Sequence, residues 1–219
     1  MEAVAVSWTE VETCLDRPSL VDLRRELVDT YHVMLYVHLL SLLVGFSAGM
    51  IETVCLFRLR AATSLEQAAP WGQLAGEVEK AFPVAIVGLF ATGAYMTSDL
   101  WTWGTSWIVL PIVGLAILSL QGPLVAGRRG HAVKSTLMAN GPGALGPEAR
   151  RMTRDRALWT AGMTNEMLVL AIVWVMTVKP DWGGGIAALV VAYVVGVALA
   201  VGLTREAPSE AAPAAESAG

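Results

Sequence analysis

The sequence predicts an all-α integral membrane bundle of five transmembrane helices, with the N-terminus outside and the C-terminus cytoplasmic. Three observations lead there. Hydrophobic residues make up 55% of the chain and charged residues only 16%, against about 45–50% and about 25% in soluble domains. The charges are segregated, leaving apolar stretches close to the ~20 residues that a bilayer core of about 30 Å requires. Lysine and arginine also fall very unequally on the two sides that those stretches define.

Residues 1–30 are polar and mixed in charge, and are expected to be extracytoplasmic. Within them Arg17-Pro18-Ser19 reads as a turn into a short amphipathic helix. Ser19 is its candidate N-cap and Asp22 stands at N3, while Leu20, Leu23 and Leu27 share one face that would lie on the membrane surface. A membrane domain over residues 31–204 follows. Its first span, 31–57, stops at Arg58 and Arg60. The second, 81–98, tolerates Pro83 in its first turn. The third, 105–127, contains Pro111, and Gln121-Gly122-Pro123 is expected to bend or end it. The fourth, 157–178, ends at Lys179-Pro180-Asp181, and the fifth, 185–204, follows three glycines. Residues 205–219, rich in Ala, Pro and Glu, read as a disordered cytoplasmic tail.

Orientation follows from the bases. Arg17, Arg24, Arg25 and Lys179 fall on one side, and the other eleven Lys and Arg residues, from Arg58 to Arg205, on the opposite one. The richer side is therefore expected to be cytoplasmic. Trp101, Trp103, Trp107 and Trp182 would form an outer aromatic belt, with Trp71 and Trp159 near the inner one. The segment 127–156 carries seven bases against Glu148 and Asp155. Gly141-Pro142-Gly143 and Gly146-Pro147 divide it into two short helical pieces, and it reads as a basic loop drawn to anionic lipid headgroups. Nucleic acid is excluded as a partner, because there is no basic domain and no recognition motif. Cys14 and Cys55 fall on opposite faces, which argues against a disulfide. No signal peptide is visible at the start.

Ionisable residues inside spans are costly, which makes each a candidate for function. His38, Glu52 and Glu166 are the three. On the first span His38, Gly45, Gly49 and Glu52 lie within roughly 60° of one another at about 100° per residue, flanked by Met34 and Ser41. This small, polar face must point into the bundle. Gly45 and Gly49 form a small-xxx-small pair that permits close helix packing, internally or against a second copy or a membrane partner. Trp159, Gly162, Glu166, Val173 and Thr177 make a similar stripe on the fourth span, with Asn165 beside it. Gly88, Thr92, Tyr95 and Asp99 share a face of the second. His38 would lie roughly 10 Å and Glu166 roughly 18 Å below the outer boundary, and Glu52 near the inner one, within reach of Arg58, Arg60 or headgroups.

His38 is the candidate cofactor ligand. A bis-histidine haem needs a second imidazole at similar depth, which neither His32 nor His131 supplies. A haem b with a single histidine or a His/Met pair stays open. So does copper, since Met34, Met96 and Met176 share the outer third with His38, and thioether with imidazole suits Cu(I). No phosphate-binding glycine loop, nucleophile elbow, HExxH or CxxC is present, so the balance is against an enzyme. The fifth span has only Tyr193 as a polar side chain and reads as scaffold.

Tyr36-Val37-His38-Leu39-Leu40 through Gly45 to Phe57-Arg58-Leu59-Arg60, together with Trp174-Val175-Met176-Thr177-Val178-Lys179-Pro180, resembles a family of bacterial integral membrane proteins catalogued as domain of unknown function 2269. The resemblance would cover about residues 31–204 and implies topology rather than activity. The opening helix is more loosely similar to the copper-resistance D membrane domain and to HemJ-type protoporphyrinogen oxidase. In those groups a first-span histidine is implicated in metal or haem binding, a role His38 would match. Lys80 is not equated with a catalytic lysine.

These readings converge on a multi-pass inner-membrane protein whose polar interior around His38 and Glu166 binds a small ligand, haem or metal, or carries protons. Two others stand beside it: a haem-dependent membrane oxidoreductase, and a structural subunit that packs through the Gly45/Gly49 face. The topology has a direct test in a chain freed of Cys14 and Cys55. A membrane-impermeant maleimide is expected to label Asp181→Cys in intact cells, and Ser135→Cys only after the membrane is opened.

Overall fold

The computed structural model describes residues 20–204, which are helical almost throughout. The helices are α1 (Leu20–Ala61), α2 (Leu65–Val78), α3 (Ala81–Leu100), α4 (Ser106–Gln121), α5 (Arg128–Asn140), α6 (Pro147–Met152), α7 (Arg156–Val178) and α8 (Trp182–Thr204). A π-helical segment, Gly122–Gly127, joins α4 to α5. Five helical runs are long and apolar enough to cross a membrane. Among the described residues there is no strand, only an isolated antiparallel bridge between Ser64 and Ala144. The faces turned outward are strongly apolar: Val84 is 69% exposed and Val191 61%. Such a continuous apolar surface would be unstable in water and is ordinary against lipid chains.

Several boundaries differ from the sequence-based expectation. The short amphipathic helix and the first span are one uninterrupted helix of 42 residues. No glycine or proline lies between Leu20 and Val44, so nothing local ends the helix at the membrane boundary. The N-cap expected at Ser19, Cys14 and the tail 205–219 all lie outside the described residues. The third apolar run does not end at Gln121-Gly122-Pro123. Proline has no N–H to give to the preceding turn and its ring crowds that turn's carbonyl; here the helix widens into a π-helical turn and continues through α5. The expected break at Lys179 is present. Lys179 adopts the left-handed conformation at φ 53°, and its ammonium lies 4.6 Å and 4.4 Å from the ring centroids of Trp101 and Trp107. Cation–π attraction of this kind holds a residue in a conformation that β-carbon sterics disfavour.

The two ends of the bundle are built differently. The end carrying Trp101, Trp107 and Trp182 has short connections. The basic end carries a helical cap: α5 and α6 are the two short helical pieces expected there, whereas α2 and the packing of all three were not foreseen. There α2, α5 and α6 fold over the ends of α1, α7 and α8, around Leu59, Ala68, Val133, Leu137, Leu145, Ala149 and Trp159. The segment read as a basic loop is thus a packed element. Leu65 N–H donates to Gly143 O and Leu145 N–H to Thr63 O, each at 2.9 Å, while Glu66 accepts from Gly143 N–H at 2.9 Å. Trp159 is not in an interfacial belt. It is fully buried, its indole N–H donates to Thr153 O at 3.2 Å, and Phe57 meets it edge to face. A tryptophan is well suited to the centre of such a cap, with a large apolar body and one donor to satisfy.

α8 is held to α7 by close backbone approach. A β-carbon at Gly196 would lie 2.6 Å from Thr164 Cα and 2.9 Å from Met163 O, so only glycine fits without moving a helix. That contact leaves Thr164 oriented toward Gln121, whose amide donates to the Thr164 hydroxyl at 2.5 Å and ties the end of α4 to α7. Gly196→Ala is expected to cost about 1–3 kcal/mol through overpacking. Gly202→Ala, which meets nothing within 4 Å, is expected to leave thermal stability in the same detergent unchanged or slightly raised.

Candidate functional site

Between α1, α3, α4 with its π-helical extension, and α7 lies a half-open cavity of about 450 Å³. Most of its wall is aliphatic or aromatic: Leu42, Phe46 and Leu56 from α1, Phe82, Ile86 and Leu89 from α3, Leu115 and Leu118 from α4, and Leu158 and Val169 from α7. Small residues at the helix faces (Gly45, Gly49, Gly122 and Gly162) keep the space open. Set into this apolar wall are Glu52, Glu79, Asn165 and Glu166, with Thr53 and Ser119, and no lysine, arginine or histidine.

The Glu166 carboxylate reaches across from α7 to α1. Its Oε1 occupies the place that a β-carbon at Gly49 would take, so the glycine is what admits the acid. Glu166 Oε2 and Asn165 Oδ1 are both buried and lack a hydrogen-bond partner. Two unpartnered acceptors on adjacent residues, at the middle of an apolar bundle, are costly unless a donor meets them. Glu52 lines the same cavity and does not pair with Arg58 or Arg60, as its sequence position had suggested. Arg58 stacks over Trp71 at 5.3 Å, whereas Arg60 lies over Trp159 at 5.5 Å and donates to Leu203 O. The ion pairs among the described residues are Lys80–Glu77 at 2.7 Å and Arg129–Asp155 at 3.3 Å, both outside the cavity.

His38 is held elsewhere on the same face of α1. Its Nδ1 lies 2.9 Å from Thr92 Oγ1. The Thr92 hydroxyl also donates to Gly88 O at 2.6 Å, so with Nδ1 protonated its oxygen accepts from the imidazole, and the Leu89 carbonyl is a further backbone partner of the ring. The ring lies against Gly93, 3.4 Å from where a β-carbon would stand. The α1 stripe does face the bundle, but it meets two neighbours. Near its start, His38 and Ser41 pack on α3 at Gly93 and Gly88, and Gly45 packs on Ala85; further on, Gly49 meets Glu166 of α7. His38 and Glu166 are therefore not brought together, and Gly45 and Gly49 each meet a neighbour within the chain, Ala85 and Glu166, beside the cavity they line.

The remaining candidates contribute nothing to the cavity. Met96 is buried, Met34 and Met176 are half-buried, and none lines it. Among the described residues no group of three or more His, Cys, Asp or Glu is placed to hold a metal. Haem fits the cavity poorly, because the wall offers no base for two propionates and the candidate ligand His38 is not part of it. Sequence reasoning missed Glu79 altogether. It precedes α3, outside the expected span, and its exposed carboxylate stands near Gly127 at the cavity mouth. The available signal was the helical spacing of Glu79, Phe82, Pro83 and Ile86, which continues the cavity face of α3 backward by one turn.

Comparison with family models, curated proteins and solved structures finds no match to this chain. The chemistry must therefore be read from the site itself. The contact between His38 and Thr92 is open to a simple test. Thr92→Val is expected to destabilise the protein by about 0.5–1.5 kcal/mol, since it removes a side-chain hydrogen bond from the half-buried imidazole. Thr92→Ser, which keeps the hydroxyl, is expected to retain most of the stability in a thermal scan.

Proposed function

We propose that this chain is a multi-pass membrane protein that binds a small amphipathic cation, an apolar body bearing a protonated amine, in the cavity between α1, α3, α4 and α7. The observation that carries the reading is the pair of buried, unpartnered acceptors, Glu166 Oε2 and Asn165 Oδ1, in a wall with three carboxyl groups and no base. An ammonium group supplies the missing donors and a positive charge to a wall that has none, and a charge-assisted hydrogen bond is about twice as strong as a neutral one. Water alone serves the site less well. A water molecule takes about 30 Å³ and needs two to four polar partners, whereas most of the 450 Å³ is bounded by aliphatic and aromatic side chains. The volume falls in the range of about 300–1,000 Å³ used by drug-sized ligands.

The bilayer in this reading is the bacterial inner membrane. The basic cap faces the cytoplasm, as the excess of Lys and Arg on that side supports, and the cavity mouth at Glu79 opens toward it. The reading makes the protein a binding protein or carrier rather than an enzyme.

Binding of a fluorescent dansyl-alkylamine to the detergent-purified protein tests the reading. Glu166→Gln is expected to weaken binding about tenfold or more, from the loss of a charged hydrogen bond. Gly49→Leu is expected to abolish it by displacing the carboxylate into the cavity. Equal affinity in the wild type, Glu166→Gln and Glu52→Gln would sink the proposal. A Soret band in protein from haem-replete cells, lost in His38→Ala, would instead favour the haem oxidoreductase.

A further inference from the structure

A second cavity lies on the basic end, remote from the acidic one. It is a broad, half-open groove lined by Arg60, Arg150, Arg151, Arg154 and Arg156 over Leu145, Pro147 and Met152, with Asp155 and Thr204 at its edge. Its single acid is already engaged. Asp155 Oδ1 caps α7 by accepting from Leu158 N–H at 2.9 Å, and Oδ2 is paired with Arg129 at 3.3 Å. None of the five groove arginines has a carboxylate partner among the described residues. Arg60 is also pre-positioned, its guanidinium lying over the Trp159 ring and donating to the Leu203 carbonyl.

We propose that this groove is a binding site for the phosphate headgroup of an anionic phospholipid. Guanidinium forks match phosphate oxygens in pairs, and arginine is less strongly hydrated than lysine, so a cluster of arginines favours phosphate over a diffuse counter-ion cloud. The place in the fold selects a lipid as the source. Arg60, Arg156 and Thr204 stand at the ends of α1, α7 and α8, where three apolar helices leave the hydrocarbon layer and lipid headgroups lie. The apolar floor of Leu145, Pro147 and Met152 gives the glycerol and upper acyl carbons a surface that free phosphate would not use. The site is independent of the acidic cavity, which stands or falls separately.

The test is native mass spectrometry of the full chain with phosphatidylglycerol and phosphatidylcholine, using two double variants that remove equal charge. Arg150→Gln with Arg154→Gln empties part of the groove. Arg128→Gln with Lys134→Gln removes two bases of α5 that do not line it. At about tenfold for each charge-assisted hydrogen bond lost, the groove pair is expected to lose phosphatidylglycerol retention roughly 100-fold, and the α5 pair far less. Phosphatidylcholine retention is expected to be weak and unchanged in both. Equal losses from the two pairs would reduce the groove to general surface charge and overturn the site. Displacement of phosphatidylglycerol by excess inorganic phosphate would overturn the lipid as its source. Both double variants change only exposed side chains, and an unchanged thermal scan confirms that each is folded.

Discussion

Glu166 stands in the middle of α7, and the wall around it contains no base to neutralise it. An acid placed there must be given room, and Gly49 on α1 provides it by leaving out a side chain where the carboxylate lies. Much of the bundle is arranged about that requirement. α7 is held from behind by Gly196 of α8, which packs on its backbone, and from the side by the bond between Gln121 and Thr164. With α7 held in this way, the carboxylate lies against Gly49, and the space between α1, α3, α4 and α7 remains as a cavity.

The two cavities divide the electrostatics of the molecule. One is acidic, set between apolar helices and free of lysine, arginine and histidine; the other is a groove of arginines at the end of the bundle. Glu166, whose Oε2 is buried, is screened less by solvent and salt than the exposed arginines of the groove. The helical cap separates them. Its core around Trp159 fills the ends of α1, α7 and α8, and its arginines are turned outward or stacked on indole rings instead of reaching Glu52.

His38 joins two spans through its side chain. The Thr92 hydroxyl meets both the imidazole of His38 and the carbonyl of Gly88, so α1 and α3 are linked by hydrogen bonds through one side chain. The same helix pair is brought close at Gly45 and Ala85. Close packing at small residues and one interhelical hydrogen bond are the ordinary means by which helices associate in a medium where the hydrophobic effect no longer drives them together.

The sequence by itself determined the five apolar runs, the stop at Lys179-Pro180, the tryptophan-rich and base-rich ends, and the choice of His38, Glu52 and Glu166 as the residues to watch. These are local properties: run length, charge spacing and the angle of a side chain about its own helix axis. Only the tertiary structure decided which neighbour each face meets and at what height. It set His38 on Thr92 and Gly93 and Glu166 on Gly49, drew Glu79 to the mouth of the same cavity, and folded residues 65–78 and 128–152 into a cap with Trp159 buried inside. Helical periodicity gives an angle but no partner. Contacts between residues far apart in the chain supply the partner, and here they are fixed by close approach at Gly49 and Gly196.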